Sequence, residues 1–295
     1  MSNLFQGTIT ELMTPYHTDY TIDYDGLGQE IDFQVKSGVN GIFVNGIASE
    51  CPFMSLEYHK EMLRFAVRKT NGRLPVMANI FVNGTSTALE LAKSYEENGA
   101  DAICITQPCI YPFTENSLYQ HYTAIIRATG LPVYVYNAPQ TSNTMSPGLV
   151  ARLMNENENV KGYKESTQDL IHVQTIMRNV ERDLDFLSGS DGTILPIMQV
   201  GGRGIISLIS VVFPQPIIDL CDAAFANDKE KAIECQHKVL AIREILKSAP
   251  FLAGYKYAAD LVGEYPGGKV LAPLEDATDK QRAHIKEELE KLGLI

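Results

Sequence analysis

VKGYKESTQDL, running from Val160 to Leu170, changes character within a few residues. It opens as a buried strand, with Val160, Gly162 and Tyr163, and reaches Lys164 where the strand gives way to a loop. Helical spacing of apolar residues then begins at Asp169 and continues to Asn179. A short β-rich apolar run, a turn and an amphipathic helix make up one βα unit.

The same succession recurs on both sides of it. Strands are predicted at Gly7 to Leu12, Gly41 to Val44, Val76 to Ile80, Ala102 to Ile105, Val133 to Tyr136, Val160 to Lys164, Phe186 to Ser188 and Gly204 to Ser207. Helices are predicted at Tyr24 to Lys36, Leu56 to Lys69, Ser86 to Asn98, Thr114 to Ala128, Pro147 to Met154, Asp169 to Asn179 and Thr193 to Val200. Ser55 stands ready as an N-cap, and Gly38, Gly72 and Gly99 follow helix ends where a left-handed residue is common. Strand-helix alternation of this length fits an α/β protein built as a closed (β/α)8 TIM barrel. An open doubly wound sheet usually has fewer strands and a glycine-rich phosphate turn after the first, where this chain has TPYHTDYTID. Residues 1–213 carry the barrel strands and most of its helices. Residues 214–295 supply the last barrel helix and a C-terminal helical extension of the same domain.

Composition narrows the function. The 295 residues are 45% hydrophobic and 21% charged, which suits a sizeable core rather than disorder. A formal net charge of -11 argues against nucleic-acid or anionic-membrane partners, which clustered Lys and Arg would hold. The cysteines, Cys51, Cys104, Cys109, Cys221 and Cys235, are odd in number and form no CxxC pair, so neither a disulfide framework nor a zinc site is indicated. No histidine pairs at metal-ligand spacing, and no run of apolar residues is long enough to span a membrane. The expectation is a cytoplasmic protein without a metal site.

Catalytic groups of such barrels sit at the C-terminal ends of the strands. Lys164 ends strand six, and an apolar setting disfavours its ammonium form; the neutral amine attacks a ketone to form a Schiff base. Tyr136 ends the neighbouring strand five, where a phenol can carry protons to and from the carbinolamine. The bland alternatives are a lysine that snorkels into water or pairs with Glu165, and a tyrosine that only packs its ring.

Five motifs occur in order at barrel spacing: VNGxxxE after strand two, YNxP after strand five, GxKE at strand six, SGSD after strand seven and GGxGIIS at strand eight. In these the chain resembles the dihydrodipicolinate synthase and N-acetylneuraminate lyase family over nearly its whole length. The resemblance implies a pyruvate-dependent class I aldolase or lyase without metal or organic cofactor, usually a homotetramer. It gives Lys164 the Schiff-base role and Tyr136 the role of catalytic tyrosine. It places Gly46 in the backbone turn that holds the pyruvate carboxylate, and Ile206 where a carbonyl faces the reacting centre.

The chain departs from the family pattern in three places. After Gly46 the usual pair of hydroxyl residues is replaced by Ile47 and Ala48, followed by Ser49 and Glu50. In QPCIYPF, Cys109 and Ile110 stand where an aromatic pair is usual, and Tyr111 comes one residue late for the residue that reaches the neighbouring subunit. YNAPQTSNT lacks the arginine that binds the second substrate's carboxylate in the synthase branch.

The favoured expectation is therefore a neuraminate-lyase-like enzyme acting on a sugar acid or related 2-oxo acid, with Ser166, Gly189 and Asp191 meeting substrate hydroxyls. Asp191 is alternatively an N-cap for the helix near Thr193. The other readings are dihydrodipicolinate synthase, a 2-keto-3-deoxy sugar acid dehydratase, or a catalytically silent 2-oxo acid or sugar acid binding paralogue. Gly201 to Gly204 reads as a tight turn that leaves Arg203 away from substrate. Cys109 reads as a packed cysteine rather than a reactive thiol.

Overall fold

The computed structural model describes residues 4–138, 141 and 143–295. Eight parallel strands close on themselves in sequence order: β1 (Gly7–Glu11), β2 (Gly41–Val44), β3 (Val76–Ile80), β4 (Ala102–Thr106), β5 (Val133–Asn137), β6 (Val160–Glu165), β7 (Asp185–Ser188) and β8 (Gly204–Ser207), with β8 pairing back onto β1. Between them run α1 (Tyr24–Ser37), α2 (Leu56–Thr70), α3 (Thr85–Glu97), α4 (Glu115–Arg127), α5 (Pro147–Glu156), α6 (Leu170–Asn179) and α7 (Ile194–Gln199). The eighth barrel helix, α8 (Pro214–Phe225), leads into an extension of α9 (Lys229–Leu246), α10 (Ala253–Val262) and α11 (Asp279–Lys291). The fold is the (β/α)8 barrel with a C-terminal helical extension.

Helix ends follow the local chemistry. The Ser55 hydroxyl accepts the Tyr58 N–H at the start of α2, a cap worth about 1 kcal/mol. Gly38, Gly72 and Gly99 all have positive φ. Asp169, read as the first residue of α6, is instead its N-cap, accepting from Ile171 and His172. The last predicted helix starts one residue late: Asp191–Thr193 form a 3-10 turn, and α7 begins at Ile194.

Strand β6 is one residue longer than its apolar pattern implies. Glu165 pairs with Asn137 on one side and Ser188 on the other, so Lys164 is the penultimate residue of the strand. The same register sets Tyr136 directly beside Lys164 on β5 and β6.

The barrel interior is filled by Phe5, Ile9, Phe43, Met77, Cys104, Tyr134, Tyr136 and Ile206, while a second apolar layer packs strands against helices. Gly162 leaves room in that interior: a Cβ there would lie 2.3 Å from the Tyr134 ring, whose hydroxyl donates to Asp185 Oδ2 at 2.8 Å. The extension has its own apolar cluster, continuous with Met13, Ile194 and Ile205 of the barrel. No helix among the described residues is long and apolar enough to cross a membrane.

Candidate active site

The C-terminal ends of the strands open into a cavity of about 120 Å³. Strands bring Glu11, Tyr136 and Ile206 to it, loops bring Ile47, Ala48, Ser166, Gly189 and Asp191, and α9 and its C-cap bring Arg243 and Lys247. Lys164 lies just below, with no exposed surface.

Its amine donates to Glu11 Oε2 at 2.8 Å and sits over two aromatic faces, 4.2 Å from the Tyr136 ring centroid and 4.3 Å from that of Phe43. Burial pulls the amine down. The Glu11 carboxylate, Tyr136 and the hydrogen bond to Glu11 outweigh it and hold Lys164 above its ordinary value. The resting nucleophile is thus an ammonium in a buried ion pair, not the free amine that an apolar pocket alone predicts, and it must give up a proton before attack. Burial also raises the Tyr136 phenol, partly offset by Lys164 and Ser166. Ser166 Oγ lies 3.3 Å from Tyr136 Oη and 3.1 Å from the Gly189 carbonyl, forming a polar path from the tyrosine to the cavity. A side chain at Gly189 would strike Ser166 Oγ at 2.1 Å.

The turn after β2 is built from Gly46 and a 3-10 turn, Ile47–Ser49. Ile47 and Ala48 line the cavity, but the Ser49 hydroxyl donates back to the Gly46 carbonyl at 2.7 Å and does not replace the missing hydroxyls. Ser49's own carbonyl accepts from Thr14 and Tyr16, which locks the turn in that orientation. Glu50 caps the turn with φ 61° and forms a buried ion pair with Lys256 at 2.7 Å.

Asp191 faces the cavity and accepts a short hydrogen bond from Ser207. No side chain caps α7, so the N-cap alternative for Asp191 fails. Burial pushes the Asp191 carboxyl up to about 6, against the pull of Ser207 and Arg243. An acid whose folded value is raised from 3.8 to about 6 loses stability as pH climbs through that window, by up to about 3 kcal/mol. Asp191→Asn should therefore gain stability relative to the unsubstituted protein between pH 4 and pH 7.5, read by urea unfolding at both.

Other predicted positions lie elsewhere. Ile110 and Tyr111 are each 71% exposed and do not line this cavity. Ile110 has φ 79°, an uncommon conformation for a β-branched residue. Cys109 is held by Asn83, which accepts from its thiol at 3.2 Å and from its amide at 2.8 Å. Arg203 pairs with Asp183 ahead of β8, away from the cavity mouth. Pro139 of the YNAP motif lies outside the described residues. Among the described residues no three His, Cys, Asp or Glu side chains converge as metal ligands.

Sequence reasoning missed Glu11, Arg243 and Lys247. Glu11 was within reach, since it is two residues beyond the inward-facing Ile9 and therefore on the same strand face. Arg243, in the last turn of α9, and Lys247, its C-cap, are four residues apart, and no local motif links them to the barrel.

The family model described as the dihydrodipicolinate synthetase family matches residues 4–292. The chain belongs to this family. As a member, it is a carbon-carbon lyase of the Schiff-base-forming class I aldolase type. A 4-hydroxy-tetrahydrodipicolinate synthase of Lachnoclostridium phytofermentans is 32% identical over 293 residues, 99% of each chain. The dihydrodipicolinate synthase structure from Aquifex aeolicus superimposes with a TM-score of 0.94 at 30% identity, covering 98% of this chain and 99% of that one. A prophage protein of the family from E. coli K12, solved in complex with pyruvate, gives a TM-score of 0.94 at 27% identity over 99% of this chain and 100% of its own.

Proposed function

We propose that Lys164 forms an imine with the carbonyl of a 2-oxo acid and that Tyr136, working with Ser166, moves the protons. The pyruvate bound to the E. coli relative supports pyruvate as this donor. The amine attacks the carbonyl carbon and the carbonyl oxygen leaves as water. In condensation the iminium accepts the pair released as C3 loses a proton and the enamine then donates it to the aldehyde carbon; in cleavage the iminium accepts the pair of the C3-C4 bond. The observation that carries this reading is the buried Lys164 in contact with Glu11 and Tyr136, both of which line the cavity.

Between the finer readings, the relatives favour condensation of the synthase type over cleavage of the neuraminate-lyase type. The similar curated proteins are named 4-hydroxy-tetrahydrodipicolinate synthase. Arg243 and Lys247 support the same direction, because they present two cations to the cavity although the arginine after YNxP is absent. An aldehyde that carries a carboxylate fits such a pair. Asp191 beside Arg243 would orient that acceptor. The exposed Ile110 and Tyr111 fit burial in a homotetramer, as the resemblance implies.

Tyr136→Phe tests the proton role. It keeps the ring under Lys164 and removes only the hydroxyl, so condensation of pyruvate with a carboxylate-bearing aldehyde should slow by about 10²- to 10⁴-fold. Pyruvate binding should change far less. Unchanged turnover would remove Tyr136 from the mechanism.

A further inference from the structure

Glu11 bridges two groups that a substrate would need. One carboxylate oxygen accepts from Lys164 Nζ at 2.8 Å, and the other accepts from the Ala48 N–H at 2.9 Å. The side chain is almost fully buried and lies tight against Gly46, where a Cβ would come within 2.3 Å of Oε1. The turn after β2 is thus packed against this carboxylate, and a Cβ at position 46 would push the carboxylate from its place and meet the Phe43 ring at 2.7 Å.

The geometry of an imine makes that occupancy consequential. A carboxylate on the imine carbon places its oxygens roughly 3 Å from the nitrogen, given ordinary bond lengths. Glu11 Oε2 already lies at that distance from Nζ, and the Ala48 amide beside it is engaged. Phe43 and Tyr136 turn their ring faces to Nζ, and a ring face offers a carboxylate no donor. Ile47 and Ala48 bring no hydroxyl to the turn. A 2-oxo acid entering with Glu11 in place would also set two carboxylates against one ammonium.

We propose that Glu11 is a specificity-determining residue: it holds the place of the carboxylate of a Lys164-bound 2-oxo acid and competes with it. A 2-oxo acid reacts only by displacing Glu11, so its carboxylate is held less tightly than it would be in the same site without Glu11. The inference rests on the reading of Lys164 as the imine-forming residue.

Pyruvate and acetone test it, since both are methyl ketones and differ in carboxylate against methyl. Each is incubated with the protein and borohydride, and the rate of adduct formation on Lys164 is followed by intact mass and peptide mapping. The quantity read is the pyruvate-to-acetone rate ratio, in which general effects on the reactivity of the lysine cancel. Glu11→Ala should raise this ratio about tenfold or more, because like charges brought together in a buried site are costly. Glu11→Gln keeps the shape and can still accept from Ala48, so it should raise the ratio by a smaller factor through loss of charge alone. A ratio within twofold of the unsubstituted protein in both variants would overturn the proposal while leaving the imine intact. Absence of adducts with either probe in all three proteins, or adducts that persist in Lys164→Ala, would instead overturn the imine reading and the proposal with it.

Discussion

Lys164→Ala should lower turnover by about 10⁴-fold or more, because it removes the buried amine beside Tyr136 that forms the covalent intermediate. The substitution also strands Glu11, whose carboxylate now faces Lys164 at 2.8 Å in a nearly buried site. Removing one partner of a buried ion pair is costly, whereas replacing both is often neutral. The double variant Lys164→Met with Glu11→Gln is therefore expected to recover stability lost in Lys164→Ala and to remain inactive. That pattern in steady-state assays and urea unfolding separates chemistry from folding. Appreciable turnover in either variant would contradict the imine mechanism.

Lys256→Met should cost roughly 3–5 kcal/mol of stability. The Lys256 amine donates to Glu50 Oε1 at 2.7 Å and to the Thr14 carbonyl at 2.8 Å, with a further short hydrogen bond to the Lys269 carbonyl. Glu50 Oε2 in turn accepts the Leu271 N–H at 2.6 Å. One buried pair thus joins the turn beside the active site to α10 and to the segment after it. Burial lowers the Lys256 amine and Glu50 restores part of that shift, the balance expected of two charges kept together out of water. Urea unfolding of Lys256→Met, Glu50→Gln and the double variant should show the double losing less than the sum of the singles. Strict additivity would mean that the two side chains act independently.

The barrel was legible because its signal is repeated. Short apolar runs such as GIFV, VMANI and AICIT alternate with amphipathic helices, and that order leaves few topologies. Tyr136 and Lys164 could be paired from sequence because each falls near the end of an adjacent strand. What the pattern could not supply was the state of the lysine. An apolar strand end predicts a neutral amine, and the ion partner that reverses this comes from β1, far away in the chain. Glu11 reads locally as the polar end of a strand, and only closure of β8 and β6 around the interior turns it toward Lys164. Ser49 could not be oriented from its position, since its direction depends on the Gly46 carbonyl three residues earlier. Arg243 and Lys247 reach the cavity through packing of α9 on the barrel, which no motif records. Asp191 had two local readings, and its carboxylate is turned to Ser207 on β8 rather than to the start of α7.

The central claim is that Lys164 makes the covalent bond, and borohydride reduction in the presence of pyruvate followed by peptide mass mapping tests it most directly. The account predicts a single reduced pyruvate adduct on the peptide containing Lys164, absent from Lys164→Ala. No adduct at saturating pyruvate in either the unsubstituted protein or Glu11→Ala, or an adduct on a different lysine, would contradict it.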